Sequence, residues 1–391
     1  MAQQSKKYRR LFGGIEVIAP RKVLHVIDSF DLGGAQTFLL DFLRYLDPSH
    51  FVAEVAAMHG HGVFESSFRE AGIVTHSLSP AKWPPYYIPN FIRLMKRGKF
   101  DILHFHLFGA NLCAKPLAIA AGHRAIVVHD QCNDASRDKS PFLLAADALA
   151  NRGVSRIIAV AESVRLYLLN HEDLPDATVA MIPNGIDAGV FVPASSDQKR
   201  KTREAMGLSA DAFVIGGVGR LVQQKNFKAF LEAASKLRLK YPEVTFIIAG
   251  SGPLENELRS HAAALGLAES VRFLGHVSDR VGLYHCMDAL LMPSDFEGTP
   301  MTLLEAMASA LPVIASGVDG IAEVCTDRHD ALLVSPGDTE GYIEALGQII
   351  INKDLRSMIG TNARRTILDR YEIRSLVRRI ESIYDEILEN A

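Results

Sequence analysis

Along most of the chain a short run of β-branched and aliphatic residues is followed by a longer stretch in which apolar positions return every third or fourth place. The first such pair is Val23-Leu24-His25-Val26-Ile27 and the amphipathic stretch Gln36 to Leu46. A continuous apolar run reads as a strand buried on both faces, and the 3.6-residue recurrence reads as a helix packed on it, so the repeating unit is βα. Phe51 to Met58, Ile73 to Leu78, Asp101 to His106, Ala125 to His129, Arg156 to Val160 and Val179 to Ile182 supply further strands. This alternation predicts a parallel sheet with helices on both faces.

From Val192 to Arg203 the pattern lapses into Pro193, Ala194, Ser195, Ser196 and a charged stretch, and a linker is expected there. A second series of strands then runs Phe213 to Val218, Val244 to Ala249, Val271 to Leu274, Ala289 to Met292, Pro312 to Ala315 and Ala331 to Val334. The reading is α/β: two Rossmann-like, doubly wound domains in tandem with a cleft between them, residues 21–195 and 196–370, after an N-terminal extension over 1–20. Thr339 to Ala391 is helical by pattern, and the last part, 371–391, is long enough to cross back onto the first domain. The length of 391 residues accommodates two such domains.

Hydrophobic residues at 48% and charged residues at 22% exclude a disordered or collagen-like chain. With 42 Lys plus Arg against 45 Asp plus Glu there is no basic excess of the kind that coats nucleic acid, so no nucleic-acid partner is expected and any bound anion must be met locally. Four cysteines, Cys113, Cys132, Cys286 and Cys325, form no C-x-x-C pair, which suits a reducing compartment. Met1 to Pro20 carries Lys6, Lys7, Arg9 and Arg10, but Gly13, Gly14 and Glu16 break its apolar stretches, so no signal-peptide core follows. The expectation is a cytoplasmic protein. Peripheral contact with a membrane is left open by the basic start and by the aromatic cluster Trp83, Pro84, Pro85, Tyr86, Tyr87. Oligomeric state is not legible.

Two segments carry candidate chemistry. The strand Phe213 to Val218 runs into Gly219-Arg220-Leu221-Val222-Gln223-Gln224-Lys225-Asn226, with Asn226 suited to cap the next helix. A guanidinium and an ammonium in one strand-to-helix loop can neutralise a diphosphate as it departs; a solvated basic turn is the other reading. After the strand Ala289 to Met292 comes Ser294-Asp295-Phe296-Glu297-Gly298-Thr299-Pro300-Met301-Thr302, continuing to Glu305. Thr299 is expected as N-cap and Pro300 as first helical residue, which would leave the N–H groups of Met301, Thr302 and Leu303 facing an anion. Glu297 before the turn can reach sugar hydroxyls, and Glu305 within the helix can grip vicinal ribose hydroxyls.

These segments together resemble glycosyltransferase family 4, the retaining nucleotide-sugar transferases of GT-B fold. Gly217-Val218-Gly219-Arg220-Leu221 through Lys225 matches the family's G-x-G-R-L-x-x-x-K segment, and Glu297 with Glu305 matches its E-x7-E signature. Ala249-Gly250-Ser251-Gly252-Pro253, Phe273-Leu274-Gly275-His276 and Ile182-Pro183-Asn184-Gly185-Ile186-Asp187 also fit. The resemblance implies that Arg220 and Lys225 bind the donor diphosphate, that Gly250, Gly252, Leu274, Gly275, Met301, Thr302 and Glu305 line the nucleotide, and that Glu297, Gly298 and Thr299 meet the sugar. In the first domain Gly33-Gly34-Ala35-Gln36 resembles the family's glycine loop, with Gly33 and Gly34 near the donor phosphates and Gln36 at the acceptor cleft; a tight turn alone would also explain the glycines. His129 matches the histidine near the transferred sugar, and His106 one that borders the acceptor.

Strand alternation puts His104 and His106 on one face. The 14 histidines include no H-E-x-x-H spacing, and no metal is expected to be required. Two departures from the family pattern are Pro300, in place of a frequent glycine, and Ala161, in place of a serine. The implied reaction moves a sugar from a nucleoside diphosphate sugar, UDP favoured and GDP open, to a hydroxyl of a glycan, lipid-linked or small-molecule acceptor. His129, Arg220, Lys225 and Glu297 are the implied catalytic set. A sugar-nucleotide epimerase and a catalytically silent nucleotide-sugar-binding protein remain as alternatives.

Overall fold

A computed structural model describes residues 19–390 apart from 32, 61, 63, 80–85 and 132–140. The basic cluster Lys6 to Arg10 and the residues Trp83, Pro84, Pro85 and Cys132 lie outside the described residues. The strands fall into two sheets. The first contains β1 (Arg21–Ile27), β2 (Phe51–Ala57), β3 (Val74–Ser77), β4 (Ile102–His106), β5 (Ile126–Asp130), β6 (Arg156–Ala159) and β7 (Val179–Met181). Its order is β3-β2-β1-β4-β5-β6-β7, with every described pairing parallel. The second contains β8 (Phe213–Val218), β9 (Val244–Ala249), β10 (Val271–Gly275), β11 (Ala289–Met292), β12 (Val313–Ser316) and β13 (Leu332–Val334), in the order β10-β9-β8-β11-β12-β13.

Each sheet reverses its direction of winding once, between β1 and β4 in the first and between β8 and β11 in the second. In an open parallel sheet the loops on the two sides of that switch point part at the carboxyl ends of the strands and leave a crevice. Here those loops are Gly33–Gly34 after β1, Gly219–Lys225 after β8 and Ser294–Pro300 after β11, so the topology alone gathers the segments with candidate chemistry.

The segment read as a linker contains a helix, Ser196–Ala205. Its strongly polar composition hides it from apolar periodicity, and it is held by a capping box between Ser195 and Gln198 and by Lys199 and Arg203, which both bond Asp288. The C-terminal tail is three helices, Thr339–Ile351, Lys353–Arg370 and Ile373–Asn390. The last packs its buried Leu376, Val377, Ile380, Ile383, Tyr384 and Ile387 into the core of the first domain. The chain crosses between domains where Ile186 N donates to Tyr371 O at 2.9 Å and Ile373 N donates to Ile186 O at 3.1 Å.

Candidate active site

The loop after β8 is fixed by backbone contacts that exclude side chains. A Cβ at Gly250 would stand 1.9 Å from the Gly219 carbonyl oxygen, and one at Gly252 would stand 2.5 Å from that of Leu221. Gly250 also has φ +138°, a conformation that L side chains rarely adopt. These two glycines let the β9 loop brace the β8 loop, through Leu221 N to Ser251 O at 2.9 Å and Gly219 N to Ala249 O at 3.0 Å. The β8 loop is tied equally to the β11 loop. Gln224 Nε2 donates to Phe296 O at 2.9 Å, Asn226 Nδ2 to Asp295 Oδ1 at 2.9 Å, and Asn226 also caps the helix Phe227–Lys240.

On this frame Lys225 Nζ pairs with Glu297 Oε1, which also accepts from Ser294 Oγ. Arg220 is exposed and makes no ion pair among the described residues. The helix Met301–Ala308 starts beside them, and no described acceptor receives the N–H of Met301 or Thr302. Two cations of differing freedom and a helix start with free donors can stabilise an anion carrying several oxygens. Across the gap lies the glycine loop of the first domain, where a Cβ at Gly34 would be 3.7 Å from Met301 Cγ.

Several sequence-predicted residues stand in settings that spacing does not show. Thr299 is not the N-cap: Pro300 holds that position without a side-chain bond, and Thr299 Oγ1 donates to Val160 O of the first domain. Glu305 does not present an open carboxylate. One turn into the helix it is buried against the helix Arg280–His285, where one oxygen pairs with Arg280 and the other accepts from Tyr284 OH at 2.7 Å. Burial pushes its carboxyl up and the Arg280 charge draws it back down. Gln36 lies buried under the glycine loop and donates to Ser29 O at 3.2 Å. His129 and His106 are likewise buried. Leu274 and Gly275 end β10 half-buried, with Gly275 accepting from Gly250 N at 2.7 Å.

His106 and His129 belong to a cluster that includes His25 and His104. The parallel register sets His25 beside His104 and His106 beside His129, and the His104 and His106 rings stack at 4.2 Å between centroids. His25 Nδ1 lies 2.9 Å from His106 Nε2, and His104 Nδ1 lies 2.6 Å from Tyr384 OH. Burial pushes His25 and His129 down to about 3 and moves His104 and His106 in the same direction, so all four are neutral. His25, His104 and His106 each offer a nitrogen within 4.8 Å of the others. Several ring nitrogens of the cluster, both of His129 among them, have no partner among the described residues, and buried water can satisfy such atoms. Burial this deep is why sequence reasoning, which noticed the β4 and β5 histidines, missed His25: the signal is the register across β1, β4 and β5.

The interdomain contact adds residues that sequence reasoning missed, Glu323, Arg280 and Asp41 among them. Glu323, from the helix Asp319–Val324, accepts from Glu162 N at 2.6 Å and Ser163 N at 2.8 Å, at the start of the first-domain helix Glu162–Glu172. Ala161, which stands at that N-cap, cannot cap it; a carboxylate from the other domain does. Asn184 Nδ2 bridges Thr299 O at 2.9 Å and Gln131 Oε1 at 3.0 Å, and Arg280 reaches Asp41 of the first domain at 3.7 Å. Gly298 sits so close to the Gln131 carbonyl that a Cβ would lie 2.2 Å from it.

Comparison with known proteins agrees with this architecture. The model for "Glycosyltransferase Family 4" matches residues 32–190 and that for "Glycosyl transferases group 1" matches residues 198–366. The chain is 29% identical over 310 residues to the UDP-Gal:alpha-D-GlcNAc-diphosphoundecaprenol alpha-1,3-galactosyltransferase of Escherichia coli, covering 77% of this chain and 79% of that one. It is 25% identical to the GDP-mannose-dependent alpha-(1-6)-phosphatidylinositol monomannoside mannosyltransferase of Mycolicibacterium smegmatis, covering 90% and 94%. The crystal structure of Anabaena HepE with UDP-glucose shares the fold at a TM-score of 0.83 and 22% identity, over 93% of this chain and 99% of that one. With both domains matched in order and the two sheets facing across their switch points, the chain belongs to the family 4 glycosyltransferases of GT-B fold and is a hexosyltransferase.

Proposed function

We propose that this enzyme moves a hexose from a UDP-sugar, with a GDP-sugar as the second donor class, to a hydroxyl of a glycan or lipid-linked acceptor, with retention at the anomeric carbon. The observation that carries the reading is the meeting, at the topological switch point of the second sheet, of Arg220, Lys225 and the unbonded N–H groups of Met301 and Thr302. The donor diphosphate lies against these groups. The bond from the anomeric carbon to the phosphate oxygen breaks, the acceptor oxygen bonds the same face, and the acceptor proton passes to the leaving phosphate oxygen. Arg220 and Lys225 stabilise the charge that grows on the diphosphate, the largest electrostatic task of the step. Glu297, released as Lys225 turns to phosphate, holds the sugar, and Gly298 and Thr299 shape its pocket. The ribose takes the place of the Arg280 guanidinium on Glu305. His129, neutral and buried in the histidine cluster, backs the sugar side of the pocket from behind. The names of two relatives, one using UDP-Gal on a diphosphoundecaprenol acceptor and one using GDP-mannose on a phosphatidylinositol acceptor, support a lipid-linked acceptor.

Thermal-shift titration with UDP, GDP, ADP and TDP and their sugars tests the donor, because a bound nucleotide raises stability with its occupancy. A UDP-selective shift is expected. Indifference to every nucleotide overturns the reading. NMR of the product anomer then tests retention, and an inverted product refutes same-face attack.

A further inference from the structure

Two buried carboxylates from different domains share one guanidinium. Glu305, 4% exposed, belongs to the helix Met301–Ala308 of the second domain, and Asp41, 7% exposed, to the helix Gly34–Tyr45 of the first. Arg280, at the start of the helix Arg280–His285, pairs with Glu305 Oε1 through Nη1, and its Nη2 stands 3.7 Å from Asp41 Oδ2. The first contact is a hydrogen-bonded ion pair, whereas the second is longer than a hydrogen bond. The guanidinium carbon also lies 5.3 Å from the centre of the Phe191 ring. Phe191 stands between Ile186, where the chain crosses between domains, and the helix Ser196–Ala205.

Neither Arg280 nor Asp41 has a part in the transfer step itself. Burial pushes the Asp41 carboxyl up, and the Arg280 charge draws it down more than that of Arg44, which donates to Asp41 at 3.3 Å from a half-exposed position. Asp41 in turn pushes the Glu305 carboxyl up. The two acids thus compete for one cation, and the one that loses it needs other donors. Such donors are at hand, since Tyr284 OH bonds Glu305 and Arg44 bonds Asp41. The Arg280 side chain is 34% exposed, so a ligand reaches this junction from solvent. Asp41 is also joined to the donor side of the cleft. It lies seven residues, about two turns, beyond Gly34 in the same helix, and Gly34 approaches Met301.

We infer that Arg280 is a positioning residue that changes partner when the donor binds: it holds Glu305 while the site is empty, and passes to Asp41 when the ribose hydroxyls take Glu305. The exchange rests on the proposed ribose site. It leaves no buried carboxylate alone, because Glu305 trades a guanidinium for hydroxyl donors and keeps Tyr284, while Asp41 gains a full ion pair. The Phe191 ring offers the guanidinium a face to rest on in either position. With Arg280 on Asp41 the contact between domains shortens. The pull acts on a helix whose other end is the glycine loop, and so brings Gly33 and Gly34 toward the donor diphosphate. In the empty enzyme Arg280 competes with the ribose, which lowers the apparent affinity for nucleotide.

The test is a double-mutant cycle on the full chain, read by UDP affinity and by the rate of UDP release from saturating UDP-glucose or UDP-galactose. Arg280→Met removes the competitor for Glu305, so UDP should bind about 3- to 10-fold tighter while the saturated rate falls about 10- to 100-fold. Asp41→Asn leaves Arg280 on Glu305, so it should weaken UDP about 3-fold and slow the reaction by a similar factor to Arg280→Met. The double variant should match Arg280→Met in both readouts, since Asp41 acts only through that guanidinium. Weaker UDP binding by Arg280→Met, wild-type behaviour of Asp41→Asn, or losses that multiply in the double variant would each overturn the exchange. Arg44→Met should behave as wild type; a loss equal to that of Asp41→Asn would assign the role of Asp41 to Arg44 instead. Should Arg280→Met not fold, Arg280→Lys decides: it keeps the charge without the fork, and should be less sensitive to Asp41→Asn than wild type, equal sensitivity counting against the exchange. Absence of any UDP-induced thermal shift in the wild type strikes the transferase reading, whereas a wild-type shift with a failed cycle strikes only Arg280.

Discussion

Lys225 and Arg220 occupy one loop yet differ in what they hold, and substitution separates their roles. Lys225 neutralises the buried Glu297, so Lys225→Ala leaves a carboxylate without its cation and should cost about 2–4 kcal/mol of stability. Adding Glu297→Gln should return most of that stability but no activity. Arg220 is exposed and unpaired, and Arg220→Ala should leave stability within about 0.5 kcal/mol while lowering transfer by about 100-fold to 1,000-fold. Denaturant titration and initial rates on the same samples check both. The histidine cluster gives a separate prediction. A histidine whose folded pKa lies near 3 takes up a proton in the unfolded chain first, so stability is full above the unfolded value near 6.5 and falls as pH drops from there toward 3. His25 and His129 should each account for a loss of about 2 kcal/mol between pH 7 and pH 5. Stability of His129→Asn across that range should fall less steeply than that of wild type; an unchanged slope would show that the ring takes up its proton alike in the folded and unfolded chain. Of these residues, the cations and the paired carboxylates were legible from spacing. Their partners were not, since Lys225 and Glu297 are 72 positions apart and meet only through neighbouring strands.

At the scale of elements, most helices and strands follow from periodicity, because each buries an apolar stripe or run. The exceptions have physical causes. Ser196–Ala205 is nearly all polar and is held by capping and ion pairs with little apolar burial, which periodicity does not detect. Pro300 ends an extended segment and precedes the helix, because Thr299 turns its hydroxyl to the other domain. The helix Glu162–Glu172 lacks a local cap and takes Glu323 from across the cleft. Removing a capping side chain typically costs about 1 kcal/mol, so Glu323→Ala should destabilise by about that amount. Because the bond crosses between domains, the same variant should also change the donor KM more than Glu162→Ala does. Equal effects of the two substitutions would indicate a helix end that water caps just as well.

For the whole molecule, the C-terminal helix is the element whose loss matters most. Fully burying a side chain such as Leu, Ile or Val is worth about 1.5–3 kcal/mol, and Leu376, Val377, Ile380, Ile383 and Ile387 all enter the first domain's core. Their summed burial matches the whole stability of an ordinary domain, about 5–15 kcal/mol. A chain ending at Tyr371 should therefore fail to fold its first domain, seen as insoluble expression or loss of the cooperative unfolding transition. Such a chain with wild-type stability would mean that the helix is an accessory. The amino-acid sequence determined the two βα series, the cation loop, the paired glutamates and the membership of the family, because each is written in residues close together along the chain. Only the tertiary structure decided that Glu305 is held by Arg280 and Tyr284, that four histidines form one buried cluster, and that Glu323 caps a helix of the other domain. Those facts depend on strand order and on packing between distant segments, which local spacing does not encode.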